Sequence, residues 1–203
     1  QIESILYNRT NTDIDVVVVT DGEAILGIGD QGIGGIDIPI AKSMVYSLCG
    51  GMHHLSTLPI MLDVGTNNQS LLDNPLYLGL RQPRVDDKRY YAFLDRFIEA
   101  VSRKFPKAFL HWEDLSAVHA QTLLRHYQHR ICQFNDDIQG TGAVTLAALL
   151  FAIQKNQSTL QSQKIVIYGA GNAGCGIANQ ILWAMKHLGM SEQEALDRFW
   201  LID

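Results

Sequence analysis

Two adjacent acidic pairs, Glu113-Asp114 and Asp136-Asp137, each follow a short apolar run (Ala108 to Trp112 and Ile131 to Phe134). Single acids follow two more runs: Asp21 after Val16-Val17-Val18-Val19-Thr20, and Asp63 after Leu58 to Leu62. Ligands of parallel sheets bind beyond the carboxyl ends of strands, which is where these acids are expected. Converging carboxylates repel one another, and a hard divalent cation such as Mg²⁺ or Mn²⁺ offsets that cost. A helix N-cap would explain a single Asp after a strand, but one cap has no use for two adjacent acids.

Lys42 lies three residues after Pro39, in the first turns of a predicted helix. The positive end of the helix dipole disfavours a cation there, and partial burial adds to that effect, which is how a lysine becomes a general base. A solvated surface lysine is the alternative. Gly169-Ala170-Gly171-Asn172-Ala173-Gly174 fits G-x-G-x-x-G directly after the apolar run Lys164 to Tyr168 and before a helical stretch. Its first glycine allows the tight turn, the second admits a pyrophosphate close to the backbone, and the third lets helix pack on strand. An acid ending the next strand would bond the adenosine ribose, and Asp203 occupies that place, farther on than the usual ~20 residues. A second glycine-rich stretch, Gly27 to Gly35, lacks the G-K-[ST] of a phosphate loop and reads as a loop passing close to a ligand or to another backbone. No histidine stands with cysteine at zinc-ligand spacing; His53, His54, His126 and His129 are expected at the surface.

The elements that must position these residues alternate. Six short apolar runs, at 16–19, 58–62, 108–112, 131–134, 164–168 and 199–202, read as strands buried on both faces. Helical patterns separate them: Pro39 to Cys49 stopping at Gly50-Gly51, Tyr90 to Lys104 with a buried stripe at Phe93, Phe97 and Val101, Ala117 to Tyr127, Gly142 to Gln154, and Ala173 to Leu188. This is α/β architecture: a parallel-sheet block over residues 1–135, then the start of a Rossmann-type dinucleotide-binding domain over 136–203.

The 203 residues contain 47% hydrophobic and 18% charged side chains, which excludes a disordered or fibrous chain. Sixteen Lys and Arg against 21 Asp and Glu leave a net charge of −5, which argues against nucleic-acid binding. Three scattered cysteines without a CxxC point to a reducing, cytoplasmic setting, an organelle matrix being the alternative. No apolar run approaches the roughly 18 residues of a membrane span.

Several stretches together resemble the malic enzyme family: Val18 to Glu23, Ile25 to Asp30, Ile38 to Lys42, Leu62 to Asn68, Asn74 to Arg81 and, most clearly, Phe134-Asn135-Asp136-Asp137-Ile138-Gln139-Gly140-Thr141. The resemblance runs from about Val16 to Asp203 and is greatest to the NAD-dependent members. It implies oxidation of L-malate by NAD⁺ followed by decarboxylation to pyruvate. It makes Lys42 the general base with Asp136 as its partner. Glu113, Asp114 and Asp137 become ligands of Mg²⁺ or Mn²⁺. Gly169, Gly171, Asn172, Ala173, Gly174, Asp203 and Asp137 become the NAD-facing set. A homo-oligomer is implied for the parent protein.

The departures matter as much. Ala24 stands where the family has an arginine that contacts substrate carboxylate, and Asp37 and Ala41 replace usual glycines. His111-Trp112-Glu113-Asp114-Leu115 replaces the family's usual Gln-Phe-Glu-Asp-Phe, and His119 a usual asparagine. The family's catalytic tyrosine and further asparagines fall outside Gln1 to Asp203, so the chain is expected to be a fragment without turnover of its own. A malolactic enzyme, or a degenerate relative that binds nucleotide or serves as a structural subunit, stays open beside the malic enzyme reading.

Overall fold

The computed structural model describes residues 1–203 and divides into two compact units, Gln1–Phe134 and Asn135–Asp203. In chain order the elements are α1 (Ile2–Tyr7), β1 (Val16–Thr20), α2 (Asp37–Gly50), β2 (Thr57–Met61), α3 (Gln69–Leu72), α4 (Asp87–Lys104), β3 (Phe109–Trp112), α5 (Ala117–Tyr127), β4 (Gln133–Asn135), α6 (Thr141–Lys155), β5 (Ile165–Tyr168), α7 (Asn172–His187), α8 (Glu192–Leu196) and β6 (Phe199–Ile202). A single π-helical turn, Asp136–Gly140, leads into α6.

The first unit is built on a sheet of order β2-β1-β3-β4, with β1 parallel to both neighbours. Every residue of β1 is buried, as a β-branched run at the centre of a covered sheet must be. β2 contains Pro59, which has no N–H to give a ladder; the strand lies at the edge, where that costs nothing. α4 starts earlier than its apolar pattern because Asp86 caps it, accepting from the Arg89 N–H at 3.0 Å. Its buried stripe also differs from the expected one. Tyr90, Leu94, Phe97, Ile98 and Val101 face the core, while Phe93 is only half-buried. A strict four-residue spacing drifts around a helix of 3.6 residues per turn, so Phe93 falls to the flank. α2 ends at Gly51 in the left-handed conformation (φ 70°), which glycine adopts without penalty.

In the second unit β5 and β6 pair in parallel, Ile165 opposite Phe199 and Tyr168 opposite Ile202. α6, α7 and α8 bring Leu146, Ile153, Ile181, Met185 and Ala195 around Ile165 and Leu160. Burial on both faces, expected of the apolar runs, does not hold here. Val166, Tyr168, Trp200 and Ile202 are all exposed, because the helices cover one face of these two strands. The π-turn and α6 together make a 20-residue helix, Asp136–Lys155, long and apolar enough by length and composition to cross a membrane. The apolar run is shorter in the sequence because Asp136, Asp137 and Gln139 interrupt its start; Ile138, Gly142, Leu146 and Ile153 are its buried residues.

α6 crosses α7 at unusually close range. A Cβ on Gly142 would stand 2.9 Å from the Gly176 carbonyl oxygen, and one on Gly176 would strike the Ile138 backbone.

Candidate active site

Within the first unit the structure brings Lys42 and Glu113 together. Glu113 follows β3, and its backbone N–H donates to the Val19 carbonyl at 3.0 Å, which extends the β1–β3 ladder by one residue. Lys42 lies in the second turn of α2, its side chain 29% exposed, with Nζ 2.8 Å from Glu113 Oε1. It is a paired lysine rather than a solvated one. Asp37, in the first turn of the same helix, is exposed.

Glu113 and Asp114 are both 5% exposed. Neither caps the following helix, whose N-cap is Ser116. Asp114 holds a left-handed backbone (φ 52°), a conformation that Asp tolerates better than most residues. Burial, reinforced by the charge of Glu113, pushes the Asp114 carboxyl up to about 6. Two buried carboxylates beside a single ammonium, with hard oxygen donors, suit a divalent cation.

The single acids have other work. Asp21 is fully buried, accepts from the Tyr90 hydroxyl at 2.7 Å and from the Glu23 N–H at 3.0 Å, and lies 3.8 Å from Arg84 Nη1. Burial raises its carboxyl above the usual range, against the opposing pull of Arg84. Asp63 accepts from the N–H groups of Gly65 and Leu80, which fixes the loop after β2. Both are structural.

Asp136 and Asp137 belong to the second unit, half-buried in the first turn of the π-helical segment. Asn135 is the cap here: its Oδ1 accepts from the Ile138 N–H at 3.0 Å. That leaves the two acids at the positive end of the helix, where negative charge is favoured.

The dinucleotide turn has the geometry its glycines foretell. Gly169 follows β5 at φ 104°, Gly171 is the N-cap of α7, and Asn172 and Ala173 open the helix. Gly174 is packed so tightly that a Cβ would run into the Gly169 carbonyl. Asp203, directly after β6, accepts from the Ala170 N–H at 3.1 Å, so its carboxylate stands beside the turn. In the other glycine-rich loop, backbone comes close to backbone. A Cβ on Gly35 would lie 2.8 Å from Gly22 Cα.

Three residues of the first unit carry no spacing signal. Arg84 is 93% buried by its 7% side-chain exposure and donates to both oxygens of Asp30 and to the Asp21 carbonyl. His111 is 1% exposed and hydrogen-bonded to both Tyr46 and Glu113. His119 stacks on Tyr90 and reaches Glu23 and Asp87. The surface expectation does hold for His53, His54, His126 and His129.

A parallel-sheet unit with a lysine–carboxylate site, followed by a unit that contains a strand–glycine-turn–helix of dinucleotide-binding form, defines an α/β protein of the dinucleotide-binding class. Residues 1–128 match the family model described as malic enzyme, N-terminal domain, and residues 138–203 the one described as malic enzyme, NAD binding domain. The chain belongs to the malic enzyme family. It is 52% identical over 202 residues to proteins named NAD-dependent malic enzyme from Salmonella arizonae and Salmonella enteritidis, covering 100% of this chain and 36% of each of theirs. The chain thus spans about a third of the length of these relatives. Among solved structures it is similar to Entamoeba histolytica malic enzyme (TM-score 0.65, 25% identity, 90% of this chain and 33% of that one). The malic enzyme from Pyrococcus horikoshii (TM-score 0.61, 24% identity, 89% and 36%) shares the fold.

Proposed function

We propose that the protein carrying this chain converts L-malate and NAD⁺ to pyruvate, CO₂ and NADH with the help of Mg²⁺ or Mn²⁺. The observation that carries this reading is the Lys42–Glu113 contact of 2.8 Å at the carboxyl end of β3, beside the buried Asp114. Lys42 takes the proton of the substrate hydroxyl, with Asp136 as its partner by family resemblance. Glu113, Asp114 and Asp137 are the acids that would hold the divalent cation. Bound there, the cation would supply charge stabilisation of the oxygen that becomes the pyruvate enolate. In the nucleotide site, Gly169 makes the turn, Gly171 lets a pyrophosphate come close to backbone, Gly174 lets α7 pack on β5, and Asp203 offers a carboxylate for a ribose hydroxyl. Asn172 and Ala173 present the first N–H groups of α7 to the phosphates.

The test is direct. The purified full-length protein is expected to reduce NAD⁺ with malate and Mn²⁺ and to accumulate pyruvate. No NADH formation would overturn the reading, and lactate as the product would identify a malolactic enzyme.

One observation favours a second reading, a non-catalytic relative. Ala24 donates its N–H to the Asp114 carbonyl at 3.0 Å, so a methyl group adjoins the acids where the family carries a guanidinium. Alanine offers no fork for a carboxylate. Restoring arginine with Ala24→Arg separates the two. A rise in kcat/KM of about two decades or more supports an otherwise intact site, and no change favours loss of catalysis. A reducing, cytoplasmic setting is proposed from the scattered spacing of Cys49, Cys132 and Cys175, which contains no CxxC.

A further inference from the structure

His111 in β3 and Glu113, which continues the ladder one residue past the strand, are two residues apart and point to the same side of the sheet. α2 presents Lys42 and Tyr46, one turn apart, on one helix face. The two pairs interlock. The Tyr46 hydroxyl lies 2.7 Å from His111 Nδ1, His111 Nε2 contacts Glu113 Oε2, and Lys42 Nζ lies 2.8 Å from Glu113 Oε1. The His111 ring is held edge-on to both Tyr46 and Phe134, with centroids 5.6 Å and 4.5 Å away. A carboxylate only accepts, so the network assigns the ring hydrogen to Nε2 and leaves Nδ1 to accept from Tyr46.

We infer that His111 is a positioning residue for Glu113, fixing the carboxylate so that one oxygen meets Lys42 while its remaining lone pairs stay available to a divalent cation. A carboxylate has about four lone-pair sites, and the two contacts here use two of them. A histidine locked from behind by a hydroxyl and two ring edges cannot rotate, so it holds its acceptor more narrowly than a free side chain would. This inference rests on the proposed role of Glu113 as a metal-holding acid.

Mn²⁺ binding to the full-length protein, read by the electron paramagnetic resonance of free Mn²⁺ without malate or NAD⁺, tests it apart from activity. His111→Leu, which removes the donor, should weaken binding by about ten- to a hundredfold. His111→Gln, which restores an N–H donor, should recover affinity to within about threefold. Should His111→Leu fail to fold, Tyr46→Phe carries the test: freeing the ring should weaken binding about tenfold. Unchanged affinity in His111→Leu, or in Tyr46→Phe, would overturn the inference while leaving the metal reading in place. Equal losses in His111→Leu and His111→Gln at unchanged melting temperature would also overturn it. A wild-type protein that binds no Mn²⁺ would overturn the metal reading and this inference with it.

Discussion

Arg84 holds Asp30 through two hydrogen bonds, Nε to Oδ2 at 3.0 Å and Nη2 to Oδ1 at 2.9 Å, across 54 residues of sequence. The same guanidinium donates to the Asp21 carbonyl at 3.0 Å, while Asp30 also accepts from the N–H groups of Gly32 and Asn67. The loops after β1 and β2 are therefore fastened to one buried cation. Arg84→Met would leave Asp30 and Asp21 without their countercharge. The expected cost is about 3–5 kcal/mol, since removing one partner of a buried pair strands the other. Urea unfolding of the variant checks this, and a loss under about 1 kcal/mol would contradict it.

Lys42→Met should act on chemistry instead. If Lys42 takes the malate hydroxyl proton, the variant loses about 10²–10⁴-fold in kcat. NAD⁺ affinity, set by the second unit, should not move. The two measurements together separate loss of the base from general disorder.

How far these features could be read from sequence depends on the range over which each is specified. Lys42 and Glu113 were visible singly, one as a cation early in a helix and the other as an acid after a strand. That they touch needed the parallel pairing of β1 with β3, which brings residues far apart in sequence to one sheet end. The dinucleotide turn was legible almost whole, because strand, glycines and helix are contiguous. Arg84 was invisible: a lone arginine in Gln82-Pro83-Arg84-Val85 has no periodicity, and its partners lie in other loops. For β5 and β6 an apolar run reports that a strand can be buried, not which residues cover each face, and within residues 135–203 the helices cover one face.

His119 predicts a pH dependence of stability. Its Nδ1 lies 3.3 Å from Glu23 and its Nε2 3.3 Å from Asp87, and its ring stacks on Tyr90 with centroids 4.1 Å apart. The hydrogen bond to Glu23, aided by Asp87, raises the imidazole above its ordinary 6.5. The same bond to His119 lowers Glu23 below its ordinary 4.5. A raised folded-state value for a histidine stabilises fully below the unfolded value and is lost as pH rises through the folded one. The Glu23 contribution is lost in the other direction, as pH falls below about 4.5. The urea midpoint should therefore decline from about pH 6.5 upward, and His119→Asn should flatten that decline. A wild-type profile that is level above pH 6.5 would contradict it.

Asp114 has the same sign over a lower pH interval. Its carboxyl is pushed from 3.8 up to about 6, so the folded protein binds a proton more tightly than the unfolded chain over that interval. Stability should fall as pH rises from 3.8 to about 6 and stay lower above it. Asp114→Asn keeps the size of the side chain and tolerates the left-handed backbone, so it isolates the charge. Thermal melts should show the variant more stable than wild type at pH 7 and near parity at pH 4. A variant less stable than wild type at pH 7 would show that the carboxylate is better compensated than its burial suggests.

Gly171 and Gly174 allow fold and nucleotide binding to be tested apart. A Cβ on Gly171 meets nothing within 4 Å, and the residue has an ordinary φ of −72°, so Gly171→Ala should cost little, under about 1 kcal/mol at an N-cap. A Cβ on Gly174 would meet the Gly169 carbonyl and stand 3.3 Å from Ile167 Cγ2. α7 would have to lift from β5, at a cost of about 1–3 kcal/mol. Only the first substitution puts a methyl group into open space beside the turn, where the proposed pyrophosphate would lie against backbone. Gly171→Ala is thus expected to melt like wild type yet lose NAD⁺ binding by tenfold or more, about 1.4 kcal/mol or more. Gly174→Ala is expected to lose stability first. Isothermal titration with NAD⁺ beside thermal unfolding reads both, and Gly171→Ala binding NAD⁺ as wild type does would remove the turn from the cofactor site.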